Sequence, residues 1–250
     1  MRTLQLVKFL VPRSLRRLRW QTRTPRNNAN WLMRGGEPEA LLLPSLCDGR
    51  RVSIDVGGNV GGYTWLMRPL SRRVIVFEAN PDLAARLAWF CRLTIKFSVT
   101  VHNVALSNQT GMTTLRVPVR DDGRSTIQTS NSLVGWEARE IPVRMCRLDD
   151  FPVLDIGFMK IDVEGHELAV LQGAERQLRA SKPNLLIEAT NEHRPNAVAT
   201  VWAFLEPLGY VGSFLHDGDW VDVQLFDPAR HDAVNFVFRP KSEAVGQARC

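Results

Sequence analysis

The sequence predicts an α/β protein with a mostly parallel, doubly wound sheet that has helices on both faces. Three short runs rich in β-branched and aliphatic residues, at 52–56, 74–77 and 156–163, have the composition of buried parallel strands. Each is followed by a turn or a helix-start signal: the glycines of "VGGNVGG", the "NPD" at 80–82, and the "GHE" that begins at Gly165. Strand, turn and helix repeated in this order are typical of a doubly wound sheet, which binds ligands at its strand ends.

Length and composition indicate one main domain. The chain has 250 residues, 44% of them apolar, which suffices for one α/β core but not for two full enzyme domains. We expect a basic leader at residues 1–36, one folded domain at 37–241 and a short tail at 242–250. The four cysteines lack a C-x-x-C pair, which predicts reduced thiols and a cytoplasmic location and argues against a zinc site: Cys47, Cys91, Cys146 and Cys250.

The net charge of +6 is concentrated in the leader. Eight of the 32 basic residues and no acidic residue lie in residues 1–26, which leaves 24 basic against 26 acidic residues in the rest. A nearly neutral domain argues against a nucleic-acid enzyme with a basic cleft. The leader has no apolar run long enough to span a bilayer and no signal-peptide cleavage pattern. It predicts either a basic amphipathic segment on the inner face of a membrane or on a partner, or a solvated leader folded loosely onto the domain.

The first predicted strand ends in a carboxylate directly before the glycine loop. After Asp55 come four glycines and an asparagine: Gly57, Gly58, Asn59, Gly61 and Gly62. This spacing does not give the G-x-G-x-x-G of a dinucleotide site. A carboxylate here would repel phosphates and attract a ligand with a positive near end, such as S-adenosylmethionine. The alternative is that Asp55 caps the next helix and that the glycines only form a turn.

The second and third predicted strands contribute further polar groups. Glu78 ends the strand at 74–77, about 20 residues beyond the glycine loop, where an acid accepts hydrogen bonds from ribose hydroxyls in doubly wound folds. Nicotinamide and adenosyl cofactors both contain a ribose, so Glu78 does not distinguish between these two classes of cofactor. Asn103 lies in the third predicted strand, 99–104, and is expected beside the adenine. The polar segment 121–136 is predicted to be a flap near the substrate mouth.

The fourth predicted strand, 156–163, runs into a cluster of titratable residues. Lys160 and Asp162 share one face of the strand because side chains alternate with a period of two. Asp162 is followed closely by Glu164, His166 and Glu167. Such crowding often marks a functional site, where pKa values shift or a cation is held. For Glu164 and Glu167 the simpler interpretation is capping of the helix that follows Gly165.

Six segments, in this order along the chain, resemble the FkbM-like family of S-adenosylmethionine-dependent methyltransferases: "IDVGGNVGGYT", "VFEANP", "NVALSNQTG", "LDDF", "MKIDVEGHELAVLQGAE" and "LLIEAT". The resemblance covers about residues 52–189 and extends weakly to "NFVF". It implies a class I, Rossmann-like methyltransferase fold with seven strands, the last two forming an antiparallel hairpin. It also implies O-methylation, frequently of a sugar hydroxyl in a glycan or a glycosylated natural product.

Carried onto this chain, the resemblance assigns roles to individual residues. Asp55, Gly57, Asn59 and Gly61 become the methionine-side loop of the cofactor site, with Glu78 as the ribose acceptor and Asn103 as a further cofactor contact. Asp162 is expected near the transferred methyl group. The acceptor hydroxyl must also lose its proton, for which His166 is the first candidate because imidazole titrates near neutral pH, and Asp162 the second. Lys160, on the face of Asp162, completes the predicted catalytic set.

Three alternatives stay open at this stage. Asp162 and Glu188, at the ends of neighbouring strands, could hold Mg²⁺ and acidify a bound hydroxyl, with His193 assisting, although a scheme without metal is favoured. An NAD-dependent oxidoreductase is a second possibility, which the glycine spacing disfavours. A non-catalytic nucleotide-binding module is the third. The acceptor is expected to be a small molecule or a glycan, and the sequence does not predict an oligomeric state.

Overall fold

A computed structural model describes residues 24–31, 33, 37–94, 98–119, 122–131, 133, 135–152 and 154–241. Most of the predicted leader, residues 1–23, and the tail at 242–250 lie outside the described residues. The membrane contact predicted for residues 1–26 therefore falls almost wholly outside them and stays a prediction.

Eleven strands are found in the described residues: β1 Val52–Val56, β2 Arg73–Phe77, β3 Val99–His102, β4 Ala105–Leu106, β5 Gly111–Pro118, β6 Ala138–Cys146, β7 Ile156–Ile161, β8 Asn184–Glu188, β9 Tyr210–His216, β10 Asp219–Asp222 and β11 Asn235–Pro240. The α-helices of the same part of the chain are α1 Pro25–Trp31, α2 Leu43–Leu46, α3 Gly62–Met67, α4 Pro81–Thr94, α5 Glu167–Gln172, α6 Glu175–Ser181 and α7 Ala197–Leu205. The predicted strands at 52–56, 74–77, 99–104 and 156–163 correspond to β1, β2, β3 and β7 with small differences at their ends.

The large sheet has eight strands in the order β10-β9-β11-β8-β7-β1-β2-β3. The strands from β8 to β3 are parallel, and β11 runs antiparallel to both β8 and β9. The prediction of a mostly parallel sheet is confirmed, but the count of seven strands is wrong by one. The hairpin also differs, because it joins β9 to the added edge strand β10, and β11 then inserts between β8 and β9.

Alternating side chains give the sheet two apolar faces, as expected for a sheet covered on both sides. In β2, for example, Val74 and Val76 join one core cluster, whereas Ile75 and Phe77 join the other. The first cluster lies under α2, α3 and α4, and the second under α5, α6 and α7. Burial on both faces fixes the register of the central strands. Because these strands are parallel, their carboxyl ends, which carry the candidate site residues, meet at one edge of the sheet.

A second, three-stranded sheet in the order β4-β6-β5 covers this edge. Leu115, Val117 and Val143 form its own small apolar cluster. An ion pair of 2.8 Å between Arg139 and Asp82 links the second sheet to the start of α4. This second sheet was not predicted from the sequence.

Helix α1, within the segment predicted as a leader, packs against α3. Its first residue, Pro25, lies next to Gly61 at the start of α3. Among the described helices none is both long and apolar enough to cross a membrane. The described cysteines, Cys47, Cys91 and Cys146, form no disulfide.

Candidate active site

A cavity of about 590 Å³, its open mouth included, lies at the carboxyl edge of the large sheet. Three carboxylate side chains, those of Glu78, Asp162 and Glu164, line it, and no described lysine or arginine does. Much of the remaining wall is apolar and includes Val56, Phe77, Leu83, Leu106, Leu115 and Ile127. This lining favours a ligand that combines an apolar part with positive charge and that carries no phosphate.

The glycine loop brings the ends of β1 and β7 close together. Gly57 has a φ of +82°, and a Cβ at this position would lie 1.8 Å from the carbonyl oxygen of Asp162. Gly61, with a φ of +86°, instead packs against Leu87 of α4 and does not line the cavity. Of the predicted cofactor loop, Gly57 and Asn59 therefore reach the cavity, whereas Gly61 serves helix packing.

Asn59 and Glu78 form a compact polar group in the cavity wall. One carboxylate oxygen of Glu78 accepts the Asn59 backbone N–H at 2.7 Å, and the other accepts the Asn80 N–H at 2.7 Å. Burial raises the pKa of Glu78 to about 7 although both hydrogen bonds lower it. The side-chain Oδ1 of Asn59 is buried and has no hydrogen-bond partner among the described residues. A buried oxygen without a hydrogen-bond donor indicates a place where an N–H or O–H group of a ligand can bind.

Asp55 lies behind the glycine loop and does not line the cavity. It is 2% exposed, and its carboxylate accepts a short hydrogen bond from the Thr64 hydroxyl of α3. Burial raises the pKa of Asp55 to about 6, and the hydrogen bond from Thr64 opposes that rise. The residue is thus placed for an electrostatic effect on a ligand or for a contact through water. It also holds α3 through Thr64, although the N-cap of this helix is Gly61 and not Asp55.

Lys160 is a buried cation beneath the carboxylates. Its Nζ donates to Asn235 Oδ1 at 3.1 Å and lies 3.9 Å from Asp162 Oδ2. Burial alone would lower the pKa of Lys160, but the charges of Asp162 and Glu188, among other carboxylates, outweigh it and leave the pKa raised. Lys160 therefore stays protonated, so its contribution to the site is positive charge and not proton removal.

Asp162 and Glu188 interact strongly at the ends of the neighbouring strands β7 and β8. The charge of Asp162, followed by burial, raises the pKa of Glu188 far above its usual range. Two carboxylates this strongly coupled do not both ionise near neutral pH. Since Asp162 lines the cavity and Glu188 does not, Asp162 is the member of the pair that a ligand can contact.

His166 lines the cavity with both ring nitrogens engaged. Nε2 lies 3.0 Å from the Ser107 hydroxyl, and Nδ1 lies 3.0 Å from Gln128 Oε1. Burial, followed by the charge of Arg194, lowers the pKa of His166 to about 4. A lowered pKa favours the neutral ring, in which one nitrogen donates and the other accepts a hydrogen bond.

Glu164 connects the cavity to the predicted flap. Its backbone has a φ of +54°, and its carbonyl accepts hydrogen bonds from Thr126 Oγ1 at 2.9 Å and Asn131 Nδ2 at 3.0 Å. Its carboxylate pairs with His193 Nε2 at 2.9 Å. Burial would lower the pKa of His193, but the hydrogen bond to Glu164 leaves it raised. The described part of the flap also lines the cavity, through Ser125 among others.

Two further predicted residues take structural positions. The side-chain amide of Asn103 donates to the backbone carbonyls of Glu78 at 2.9 Å and Ala79 at 3.0 Å, so it fastens the loop after β2. It does not line the cavity, although Val104 does. Glu167 accepts the Gly165 N–H at 2.8 Å, but helix α5 has His166 at its N-cap and no side-chain capping hydrogen bond, so the capping interpretation is not confirmed.

The described residues contain no group of three or more His, Cys, Asp or Glu side chains arranged to hold a metal ion. The alternative in which Asp162 and Glu188 hold Mg²⁺ stays a prediction.

The sheet order, with β11 inserted antiparallel beside β8, and the glycine loop at the carboxyl edge define a class I methyltransferase fold. Methyltransferase FkbM from Methylobacillus flagellatus KT has a similar structure, with a TM-score of 0.52 and 20% sequence identity. That comparison covers 84% of this chain and 47% of the other, so this chain spans about half the length of that protein.

Two other solved structures are more distant. An rRNA methylase from Streptococcus thermophilus gives a TM-score of 0.48 at 10% identity, covering 81% of this chain and 94% of that one. A SAM-dependent methyltransferase from Aquifex aeolicus gives a TM-score of 0.43 at 15% sequence identity, and the comparison covers 84% of this chain and 97% of the other.

The sequence matches the methyltransferase FkbM domain over residues 55–211, and the chain therefore belongs to the FkbM methyltransferase family. No curated protein matches it in sequence. The predictions of FkbM family membership and of a class I methyltransferase fold are thereby confirmed.

Proposed function

We propose that this protein transfers the methyl group of S-adenosylmethionine to a hydroxyl of a sugar, in a glycan or a glycosylated natural product. The observation that carries the proposal is the cavity lining, which contains three carboxylates and no described lysine or arginine. Such a lining suits a cationic cofactor without phosphates. When bound, S-adenosylmethionine supplies a methyl group on a positively charged sulfonium.

The residues of the cavity fit this cofactor. Each oxygen of Glu78 accepts one backbone N–H, which leaves further lone pairs for the two hydroxyls of a ribose. The orphaned Oδ1 of Asn59 suits an ammonium or amine donor. The carboxylates of Asp162 and, from behind the loop, Asp55 make the surrounding potential negative.

Proton removal from the acceptor falls to Asp162 in this proposal. Methyl transfer to a hydroxyl is a displacement in which the oxygen must shed its proton, so a base must lie within hydrogen-bond reach. The Asp162 side chain is 32% exposed and borders the cavity. His166 is the rival, but both its ring nitrogens already have partners. The geometry therefore favours Asp162 as base and His166 as a positioning residue.

The polar mouth of the cavity supports a hydroxyl-rich acceptor. Glu164 and Asp162 offer carboxylate oxygens, which accept charge-assisted hydrogen bonds from hydroxyls. Ser125 lies on the flap beside them. A sugar presents several hydroxyls to such a set, of which one is held for reaction while the others bind.

The experiment is a transfer assay with S-adenosylmethionine labelled in its methyl group. The acceptors are mono- and oligosaccharides, glycosylated natural products, and matched compounds in which an amine or thiol replaces the hydroxyl. We expect label in a sugar hydroxyl and calorimetric binding of S-adenosylmethionine but not of NAD. Transfer to nitrogen or sulfur only would contradict the proposal. Tight cofactor binding without any transfer would favour the non-catalytic module.

The pH dependence of cofactor binding tests the role of Glu78. Because burial raises its pKa to about 7, Glu78 is largely protonated at pH 6 and largely ionised at pH 8. Ribose hydroxyls bind the ionised form better, so affinity is expected to rise with pH, changing by up to about tenfold per unit below pH 7. Titration calorimetry at pH 6 and pH 8 measures the effect.

Glu78→Gln is the comparison variant: glutamine has no ionised form, and its NH2 group cannot accept one of the two backbone N–H groups that the Glu78 carboxylate holds. We expect its affinity to be lower by about ten- to a hundredfold at pH 8, from the loss of charge-assisted hydrogen bonds. Its remaining pH dependence reports the ligand's own ionisation, which is common to both proteins. Identical pH profiles in the two proteins would remove Glu78 from the ribose site.

A further inference from the structure

One surface outside the active site combines exposed aromatic and aliphatic side chains with arginines. We define the α3–α4 face by Trp65, Arg68, Trp89, Phe90 and Leu93. Trp89 is 38% exposed and Leu93 57% exposed, four residues apart on the outer side of α4. Single exposed apolar residues are common on proteins, but two large ones on one helix stripe, next to further aromatics, form a patch.

Contacts across the two helices make this face continuous. The rings of Trp65 and Phe90 meet edge to face, with centroids 5.7 Å apart. The guanidinium of Arg68 lies over the Trp65 ring, 4.9 Å from its centroid. The face therefore presents indole rings, a leucine and a cation side by side.

The chain segments that form the face are rich in arginine. No acidic residue occurs between Gly61 and Phe77 or between Leu83 and Thr94, and five arginines do: Arg68, Arg72, Arg73, Arg86 and Arg92. The one carboxylate of α4, Asp82, is at the far end of the helix and is paired with Arg139 at 2.8 Å.

The basic leader joins the fold beside this face. Pro25 lies against Gly61, and Leu87 of α4 lies against the same glycine. Residues 1–23 therefore connect to the domain next to α3 and α4. Their sequence contains leucines and arginines and no acidic residue.

We propose that the α3–α4 face is a docking surface for an anionic lipid bilayer. Tryptophan favours the boundary between headgroups and acyl chains, leucine enters the apolar layer, and arginine binds anionic headgroups, so this combination suits a membrane surface. A second copy of the chain suits it less, since a symmetric pair would oppose arginine to arginine.

The test is sedimentation of the full chain with vesicles of phosphatidylcholine, with and without about one third phosphatidylglycerol, at low and high salt. We expect binding to the anionic vesicles only, weakening with salt because the arginine contribution is screened. In the double variant Trp89→Ser with Leu93→Ser we expect the partition coefficient to fall at least tenfold. The measurement does not depend on methyl transfer.

The control variant carries Trp220→Ser with Leu225→Ser. These residues are also exposed, by 47% and 67%, and lie in and just after β10 at the opposite edge of the sheet from β3. We expect this variant to bind as the unaltered chain does, with the melting temperatures of all three proteins in agreement. Equal binding by both double variants would overturn the proposal, as would no binding by the unaltered chain. A dimer that Trp89→Ser with Leu93→Ser converts to a monomer would also overturn it, because the face would then be an interface between copies.

Discussion

Asp162→Asn is expected to lower kcat about 10²- to 10⁴-fold at saturating S-adenosylmethionine, the usual cost of losing a general base. The substitution keeps the shape of the side chain at the cavity wall but removes both its ability to accept a proton and the negative charge that acts on Lys160 and Glu188. The acceptor hydroxyl would then have to lose its proton to water. Steady-state rates and cofactor affinity, measured on the same preparation, separate this effect from weaker binding.

Glu188→Gln is the matched comparison. The charge of Asp162 and burial raise the pKa of Glu188 so far that the residue is protonated near neutral pH. Glutamine resembles that protonated form, so we expect kcat to change by less than about tenfold, a small fraction of a general-base effect. A loss of kcat as large as that expected for Asp162→Asn would contradict the conclusion that Glu188 carries the proton.

His166→Gln distinguishes the two candidate bases. One possibility is that His166 holds the flap through Gln128 and the residue after β4 through Ser107. The loss of the imidazole then lowers kcat modestly and changes thermal stability as well. If instead His166 takes the proton, its loss costs as much as that predicted for Asp162→Asn. Full activity of Asp162→Asn together with an inactive His166→Gln would return the role of base to His166.

Turnover of the unaltered chain and of the two carboxylate variants in the presence of a chelator tests whether Asp162 and Glu188 hold a metal ion. If Asp162 and Glu188 together hold Mg²⁺, then excess chelator abolishes turnover, Mg²⁺ restores it, and both carboxylate variants are inactive. If Asp162 acts as a base without metal, chelator has no effect and only Asp162→Asn is inactive. The two schemes thus give different patterns across the same set of measurements.

Local sequence signals predicted the central part of the fold well. Buried β-branched runs flanked by glycines or by a helix start gave β1, β2 and β7, because period and punctuation are properties of a few adjacent residues. Glu78 and Asp162 could be placed at the cavity for the same reason. Each directly follows a parallel strand, and such strands end at one edge of the sheet.

Features that depend on distant pairing had no comparable signal. His166 looked available as a base because its partners, Ser107 and Gln128, are 59 and 38 residues away in the sequence. The second sheet and the edge strand β10 depend in the same way on which segments meet, and periodicity within one strand does not determine this. Gly61 and Asn103 matched the family motif, but the structure gives them packing and loop-fastening contacts outside the cavity wall.

Gly57→Ala is expected to destabilise the protein strongly, because a methyl group at this position would overlap the Asp162 carbonyl oxygen at 1.8 Å. Separating the ends of β1 and β7 by enough to relieve that contact is a form of overpacking, which costs about 1 to 3 kcal/mol or more. The left-handed backbone at a φ of +82° adds about 1 to 2 kcal/mol for any residue with a Cβ. We therefore expect the free energy of unfolding to fall by about 4 kcal/mol, measured by denaturant titration.

Gly135→Ala separates the two contributions. Gly135 has a φ of +79°, close to that of Gly57, but a Cβ there would meet no atom within 4 Å. It should therefore show the backbone cost of about 1 to 2 kcal/mol without the overlap. The difference between the two variants then measures how closely β1 and β7 approach in solution. Equal destabilisation by both would mean that the strand ends move apart freely, and the close approach that brings Asp162 to the glycine loop would not be a fixed feature of the site.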